Sequence, residues 1–393
     1  MHETKFRTVT LGVLSIAHLI NDMYNNFLPQ LLPIIVATAG FSVTKASSLV
    51  SAFTITSSLV QPVFGYLVDQ KNQRWLVFVG TLWMAVILSL TGLTVNYGLL
   101  LIMAAAAGIG TAAFHPQASA MVSAVSGNRK GFIMSAFVAS GNVGWAVAPV
   151  VLVPLFAIYG AKGTTVMVIP GIVAALFLYI FAPRTEKKTI QKKSLNEIIS
   201  SMRPALGELN KLMVVVALRS LVYTGLITML PLYFKSEKMD PGRISYLLFL
   251  MLFAGAAGGL AGGFISDKYG RRPLIAGSLV LATPFFYGFL ATQGLLSDIF
   301  LGLGGAALLA SFSVTVVAAQ EAIPDNKAMA AGLSMGFAIG VGGLAVTLVG
   351  KFADVFSLMA AVRLLLWLPL IAGIFALTLN KKGQAGKNPG LAN

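Results

Sequence analysis

The sequence predicts an all-α membrane protein of twelve transmembrane helices arranged as two pseudo-symmetric six-helix bundles. Composition, the length of the apolar runs and an internal repeat carry that prediction. Of 393 residues, 57% are apolar and only 10% charged, and mean hydropathy is +0.84. Soluble domains average about 25% charged and 45–50% apolar residues. This composition cannot cover a core with polar surface, which excludes a soluble enzyme, a DNA-binding domain and a disordered chain. The net charge of +15 does not signal nucleic acid either. The basic residues fall in short clusters between apolar runs, where they mark cytoplasmic loops. There is no cysteine, so disulfides and thiolate metal sites are ruled out.

A span needs about 20 mostly apolar residues. By that measure the spans run 9–36, 46–68, 75–95, 98–124, 131–158, 164–182, 211–234, 244–266, 273–293, 297–320, 328–352 and 357–380. The runs are too long and too uniform for alternating barrel strands. Lys5 and Arg7 precede a first run with no cleavage-site pattern, so it reads as a span and not a signal peptide. With the N-terminus inside, twenty Lys and Arg lie in inner segments and six in outer loops, which predicts two cytoplasmic termini. The polar stretch 184–210 divides the chain into an N-terminal bundle (1–183) and a C-terminal bundle with a short tail (211–393). Ser194–Leu209 within it has the pattern of a short amphipathic surface helix.

The halves repeat. Gly65–Asp69 closes the second span and Gly263–Asp267 the eighth, with the aspartates 198 residues apart; Pro33 and Pro231 share that offset. Six-helix repeats of this kind are an architecture of secondary transporters, with substrate held near the midplane. Gly263-Phe264-Ile265-Ser266-Asp267-Lys268-Tyr269-Gly270-Arg271-Arg272 fits the loop signature of the major facilitator superfamily, and Gly65–Arg74 is a degenerate copy. The chain therefore resembles that superfamily. At these helix ends Asp69 with Arg74, and Asp267 with Arg271 and Arg272, are candidate conformational latches. More narrowly, His18-Leu19-Ile20-Asn21-Asp22, Phe114-His115-Pro116 and Ala319-Gln320-Glu321 are similar to the fosmidomycin-resistance family. That resemblance implies an inner-membrane exporter of small toxic compounds driven by proton entry. Gln117 departs from the family pattern, where an acidic residue would follow the His-Pro pair.

Ionisable groups inside spans are costly and mark function. Asp22 lies roughly 20 Å into the first span at about 1.5 Å per residue, near the bilayer middle. His18 is four residues earlier, on the same face; Asn21, Asn25, Asn26 and Gln30 widen the polar stripe. The repeat offset maps Asn21 onto Arg219 and Asp22 onto Ser220 in the seventh span, which sets a base at a depth matching the acid. Asp22, Arg219 and His18 are the proton-coupling candidates. His18, Asn21, Asp22, Asn25, Asn26, His115, Gln117 and Arg219 are the substrate-binding candidates. An ion pair that is purely structural and a satisfied bundle histidine at His115 are the competing readings of the same residues. No ligand spacing fixes a metal site, so no metal and no cofactor is assigned. Glycines at Gly255, Gly258, Gly259, Gly262 and Gly263 form a helix-packing face.

These features predict a monomeric, multi-pass transporter whose partners are a small-molecule substrate, protons and the bilayer, and the resemblance implies that the bilayer is a bacterial inner membrane. It is not an enzyme, because no nucleophile–base pair or filled metal site is present. The expected activity is proton-coupled efflux of a small drug-like or anionic compound by alternating access. Uptake or facilitated diffusion of a small metabolite in the same fold is the alternative, and an intramembrane enzyme a remote one.

Overall fold

The computed structural model describes residues 2–70, 73–126, 130–183, 203–323, 330 and 333–380. Apolar runs without enough polar groups to pair with water satisfy their backbone internally, which in lipid leaves helices or closed barrels. The regular secondary structure of the described residues is all helical, with no strand. In chain order the helices are α1 (His2–Asn25), α2 (Phe27–Ala39), α3 (Val43–Leu59), α4 (Gln61–Gln70), α5 (Trp75–Leu90), α6 (Tyr97–Val125), α7 (Lys130–Tyr159) and α8 (Val168–Phe181). The second half supplies α9 (Leu206–Ser236), α10 (Pro241–Tyr269), α11 (Arg271–Ala291), α12 (Gly294–Ala310), α13 (Phe312–Ala322), α14 (Ala338–Val355) and α15 (Leu358–Ala376).

These helices make up the twelve predicted spans, because three spans are broken and not continuous. Asn26 interrupts α1–α2 with φ −97° and ψ 17°, Val60 separates α3 from α4, and Ser311 separates α12 from α13. Nine stretches among the described residues are long and apolar enough to cross a membrane, and Ala136–Phe181, at 46 residues, is long enough for two crossings. Of the expected amphipathic helix, residues 194–202 lie outside the described residues. Leu206–Leu209 instead begins α9.

By packing, the chain falls into two compact units. One comprises Met1–Ile190 with Thr224–Leu252 and Gly343–Val362; the other comprises Gln191–Tyr223, Phe253–Gly342 and Arg363–Asn393. The first unit thus holds the N-terminal helices together with parts of α9, α10, α14 and α15. Its core joins Tyr24, Phe27, Leu31 and Leu32 to Leu49, Phe53, Met84, Leu88, Phe156 and Leu232.

Close approach within each unit depends on glycine. A Cβ at Gly144 would lie 2.1 Å from the Leu19 carbonyl oxygen, which fixes α7 against α1. In the second unit, Gly258 and Gly262 of α10 stand against the backbone of Ala306 and Ala310 in α12. The expected glycine packing face of α10 is therefore used as such.

A seam inside the first unit joins α3 to α14. Asp354 accepts hydrogen bonds from the Val43 N–H (2.7 Å), the Thr44 N–H (2.8 Å) and the Thr44 hydroxyl (2.6 Å). A carboxylate is the natural partner for the unpaired N–H groups of a helix start. Further along, Ser51 donates to the Gly343 carbonyl at 2.7 Å, and Thr347 donates to Ser51 at 2.8 Å.

Candidate functional site

The polar residues of α1 diverge in what they touch. On one face, His18 and Asp22 stand one helical turn apart, and His18 Nε2 lies 3.3 Å from Asp22 Oδ2. Across from them, His115 of α6 brings its Nε2 to 3.3 Å from Asp22 Oδ1. Pro116 follows inside the helix, and a proline there leaves the Ala112 carbonyl without its usual N–H donor. Asn25 donates to Asp22 Oδ1 at 2.8 Å, and Thr111 of α6 donates to Asn25 at 2.8 Å. The cluster is a carboxylate held between two imidazoles and tied through an amide to a hydroxyl.

Two features of α7 shape this cluster. The Phe137 carbonyl oxygen lies 2.7 Å from His18 Nδ1, and the Phe137 ring stacks on the imidazole at 4.1 Å between centroids. Gly141 supplies the room, since a Cβ there would come within 2.3 Å of Asp22 Oδ2 and 2.6 Å of His18 Cε1. Thr111 was not singled out from the sequence, and neither Phe137 nor Gly141 was assigned to the site.

The other stripe residues are tied elsewhere. Asn21 donates to Thr81 of α5 at 3.3 Å, and its Oδ1 has no partner among the described residues. Asn26 donates to the Trp145 carbonyl at 3.1 Å and accepts from Gln30 at 3.3 Å. Gln117 accepts from the Gln73 N–H at 3.2 Å. So His18, Asp22, Asn25 and His115 are brought together, whereas Asn21, Asn26 and Gln117 pair with neighbouring helices and loops.

Arg219 belongs to the second unit. It is fully buried on α9, with its guanidinium over the Phe312 ring at 4.7 Å and one hydrogen bond to Thr315 at 3.4 Å. No carboxylate among the described residues forms an ion pair with it. A buried charge without a counter-charge is costly, which makes this arginine an anion-seeking group.

The helix-end residues divide between the described and the undescribed. Arg271 bonds Asp267 at 2.5 Å, Ser266 at 2.6 Å and Glu321 at 3.3 Å, joining the start of α11 to the ends of α10 and α13. Arg272 is half-buried and forms no ion pair among the described residues. In the first half, Arg74 donates to the carbonyls of Ala182, at 2.7 Å, and Tyr179. The Asp69 side chain lies outside the described residues. Two further acids escaped the sequence reading: Asp354, in the seam above, and Asp298, buried near the start of α12.

His18, Asp22 and His115 also offer three ligand atoms within 4.8 Å of one another, a spacing at which a metal ion would fit. No fourth histidine or acid joins them among the described residues.

Helices of membrane-crossing length and a mid-span carboxylate between imidazoles define a multi-pass membrane transporter. The chain belongs to the Major Facilitator Superfamily, whose profile matches residues 14–347. It is 30% identical to the fosmidomycin resistance protein of Escherichia coli (strain K12), over 94% of this chain and 92% of that one. It is 28% identical to the MFS-type transporter YfnC of Bacillus subtilis (strain 168), over the same shares of the two chains. Its fold matches a bacterial homologue of the human lysosomal transporter Spinster, with a TM-score of 0.79, 15% identity and 95% of both chains covered. The expected superfamily fold and the resemblance to the fosmidomycin-resistance family are both borne out. The chain is a transporter and not an enzyme.

Proposed function

We propose that this transporter is a proton-coupled exporter of small drug-like or anionic compounds, working by alternating access in a bacterial inner membrane with both termini cytoplasmic. Residues 1–183 and 211–393 act as the two bundles, linked by 184–210, in a monomer. The observation that carries the reading is the Asp22 carboxylate, buried in the first span between His18 and His115. Mid-bilayer ionisable groups of this kind mark proton relays. Arg219 offers the substrate a positive charge with which no carboxylate among the described residues forms an ion pair, and Phe312 gives an apolar surface beside it. Such a pairing of one charged anchor with apolar walls suits a small amphipathic anion. We assign Asp267, Arg271 and Glu321, with Asp69 and Arg74 in the first half, to latches that hold one conformation.

The test is flux through the purified protein in proteoliposomes under an imposed pH gradient. Fosmidomycin serves as the probe compound because of the relative's name. The proposal expects accumulation against the compound's own gradient that collapses when the pH gradient is dissipated. Flux indifferent to the pH gradient contradicts it.

A further inference from the structure

We infer that the coupled proton resides between His18 Nε2 and Asp22 Oδ2, that the Phe137 carbonyl fixes the tautomer holding it there, and that His115 is its port to water. This rests on the proton-coupled reading and adds the proton's location and route.

The argument is a count of donors. His18 Nδ1 lies 2.7 Å from the Phe137 carbonyl oxygen. A carbonyl only accepts, so Nδ1 carries a hydrogen. The other ring nitrogen faces Asp22 Oδ2 at 3.3 Å. If the imidazole is neutral, Nε2 bears a lone pair, and Oδ2 must carry the proton and donate it. If Asp22 is a carboxylate, Nε2 must carry the proton and His18 is an imidazolium. Both arrangements hold one proton more than a neutral imidazole beside a carboxylate. Remove that proton and two lone pairs oppose each other in a buried site, where an unsatisfied polar contact is expensive. The observed contact is therefore the proton-loaded state, and unloading opens it.

The surroundings are consistent with this count. The titratable groups facing Asp22 among the described residues are His18 on its own helix and His115 on α6. From α7 come Gly141, the Phe137 ring and the Phe137 carbonyl, none of which titrates. Asp22 Oδ1 accepts from Asn25 and meets His115 Nε2. With His115 neutral and donating, the loaded cluster carries no net charge and the unloaded cluster carries one negative charge. Only the loaded form is cheap to bury.

Exposure identifies the port. The His115 side chain is 21% exposed, against 7% for His18 and 10% for Asp22. A histidine at this depth does not present its open edge to lipid, so that edge meets water. Loading then runs in two bond changes. A hydronium ion protonates Nδ1 of His115 and leaves as water, as the Nε2–H bond breaks and its proton passes to Asp22 Oδ1. His115 regains its starting tautomer by giving the Nδ1 proton to water and taking one at Nε2 while the ring is swung toward water, and rotation of the Asp22 carboxyl turns the gained proton toward His18 Nε2. Unloading is the reverse, so no other reactant is needed.

The chain has only three histidines, His2, His18 and His115, which makes nuclear magnetic resonance of isotope-labelled histidine decisive. The full-length protein in lipid nanodiscs is recorded between about pH 5 and 8, with His2→Gln and His115→Gln assigning the signals. The inference expects His18 Nδ1 to stay bonded to hydrogen across that range. It also expects His18 protons to exchange with water about tenfold more slowly than those of His115, and more slowly again in His115→Gln. A His18 Nδ1 without hydrogen overturns the location. His18 exchange as fast as that of His115, or unchanged in His115→Gln, overturns the port. If His115→Gln does not fold, the wild-type spectrum still decides the location and the relative exchange rates the port. Gradient-driven flux combined with a bare Nδ1 sinks this inference alone, whereas flux indifferent to the pH gradient sinks the coupling reading beneath it.

Discussion

Gly141 of α7 and Asp22 of α1 are so close that the glycine hydrogen takes the only space available: a Cβ at 141 would sit 2.3 Å from Asp22 Oδ2. The nearest atoms to that Cβ after Oδ2 belong to His18, so one missing methyl group permits the carboxylate and the imidazole to meet beneath α7.

Gly141→Ala therefore damages function before it damages assembly. The added methyl must push Asp22 or His18 off its present position, and overpacking of this kind costs about 1–3 kcal/mol. Gradient-driven flux is expected to fall by at least about tenfold, since 1.4 kcal/mol is one decade, with a lowered melting temperature in detergent. Gly12→Ala, with nothing within 4 Å of its Cβ, is the control and leaves both unchanged.

Arg219→Met keeps the length and apolar contact of the side chain but removes its charge. Replacing a buried charge by an apolar residue of similar volume is often neutral or stabilising, so the melting temperature is expected to hold or rise. Affinity for an anionic compound, read by thermal-shift titration, is expected to fall by about tenfold or more, the equivalent of at least about 1.4 kcal/mol. Arg219→Lys, which retains the charge but not the planar fork, should fall between the two.

Asp354 makes the α3–α14 seam sensitive to acid. Burial pushes its carboxyl up, but hydrogen bonds from Thr44, Val43 and Ser42 outweigh that and hold it below the usual carboxylate range. A depressed folded value means the seam's contribution is complete above the unfolded value of about 3.9 and is lost as pH falls through the lower folded value. Thermal stability measured against pH should decline on the acid side. In Asp354→Asn, stability at neutral pH should be lower by about 1 kcal/mol, as for other lost helix caps, and part of that acid-side decline should vanish.

Thr111→Val tests the tie behind the carboxylate. Losing the hydroxyl frees Asn25 to turn away from Asp22, at a cost of about 1 kcal/mol for one hydrogen bond. The expected outcome is a shifted pH profile of flux with little change in melting temperature. A purely structural threonine would move the stability and leave the profile alone.

Much of this was legible in the chain because membrane insertion leaves few options. Apolar run length fixed the spans, and the 198-residue offset revealed the repeat. Depth along a helix can also be counted, which placed Asp22 and His18 on one turn. What sequence could not supply was rotation about the helix axis. Asn21, Asn25 and Asn26 look equivalent as a polar stripe, yet only Asn25 reaches Asp22, while Asn21 pairs with α5 and Asn26 marks a helix break. Gln117 likewise turned to the Gln73 backbone. The role of Phe137 in the site could not be read because its contribution is a backbone carbonyl, which every residue possesses. Asp354 went unnoticed because an acid at a helix end is ordinary until its partner 310 residues away is known.

The central claim is that the mid-span carboxylate carries the proton that drives transport. Its most direct test is accumulation of the probe compound by Asp22→Asn and wild-type protein, side by side in proteoliposomes under the same pH gradient. The account predicts that wild type concentrates the compound, while the variant only equilibrates it and retains exchange. Uphill accumulation by Asp22→Asn equal to that of wild type would contradict the account.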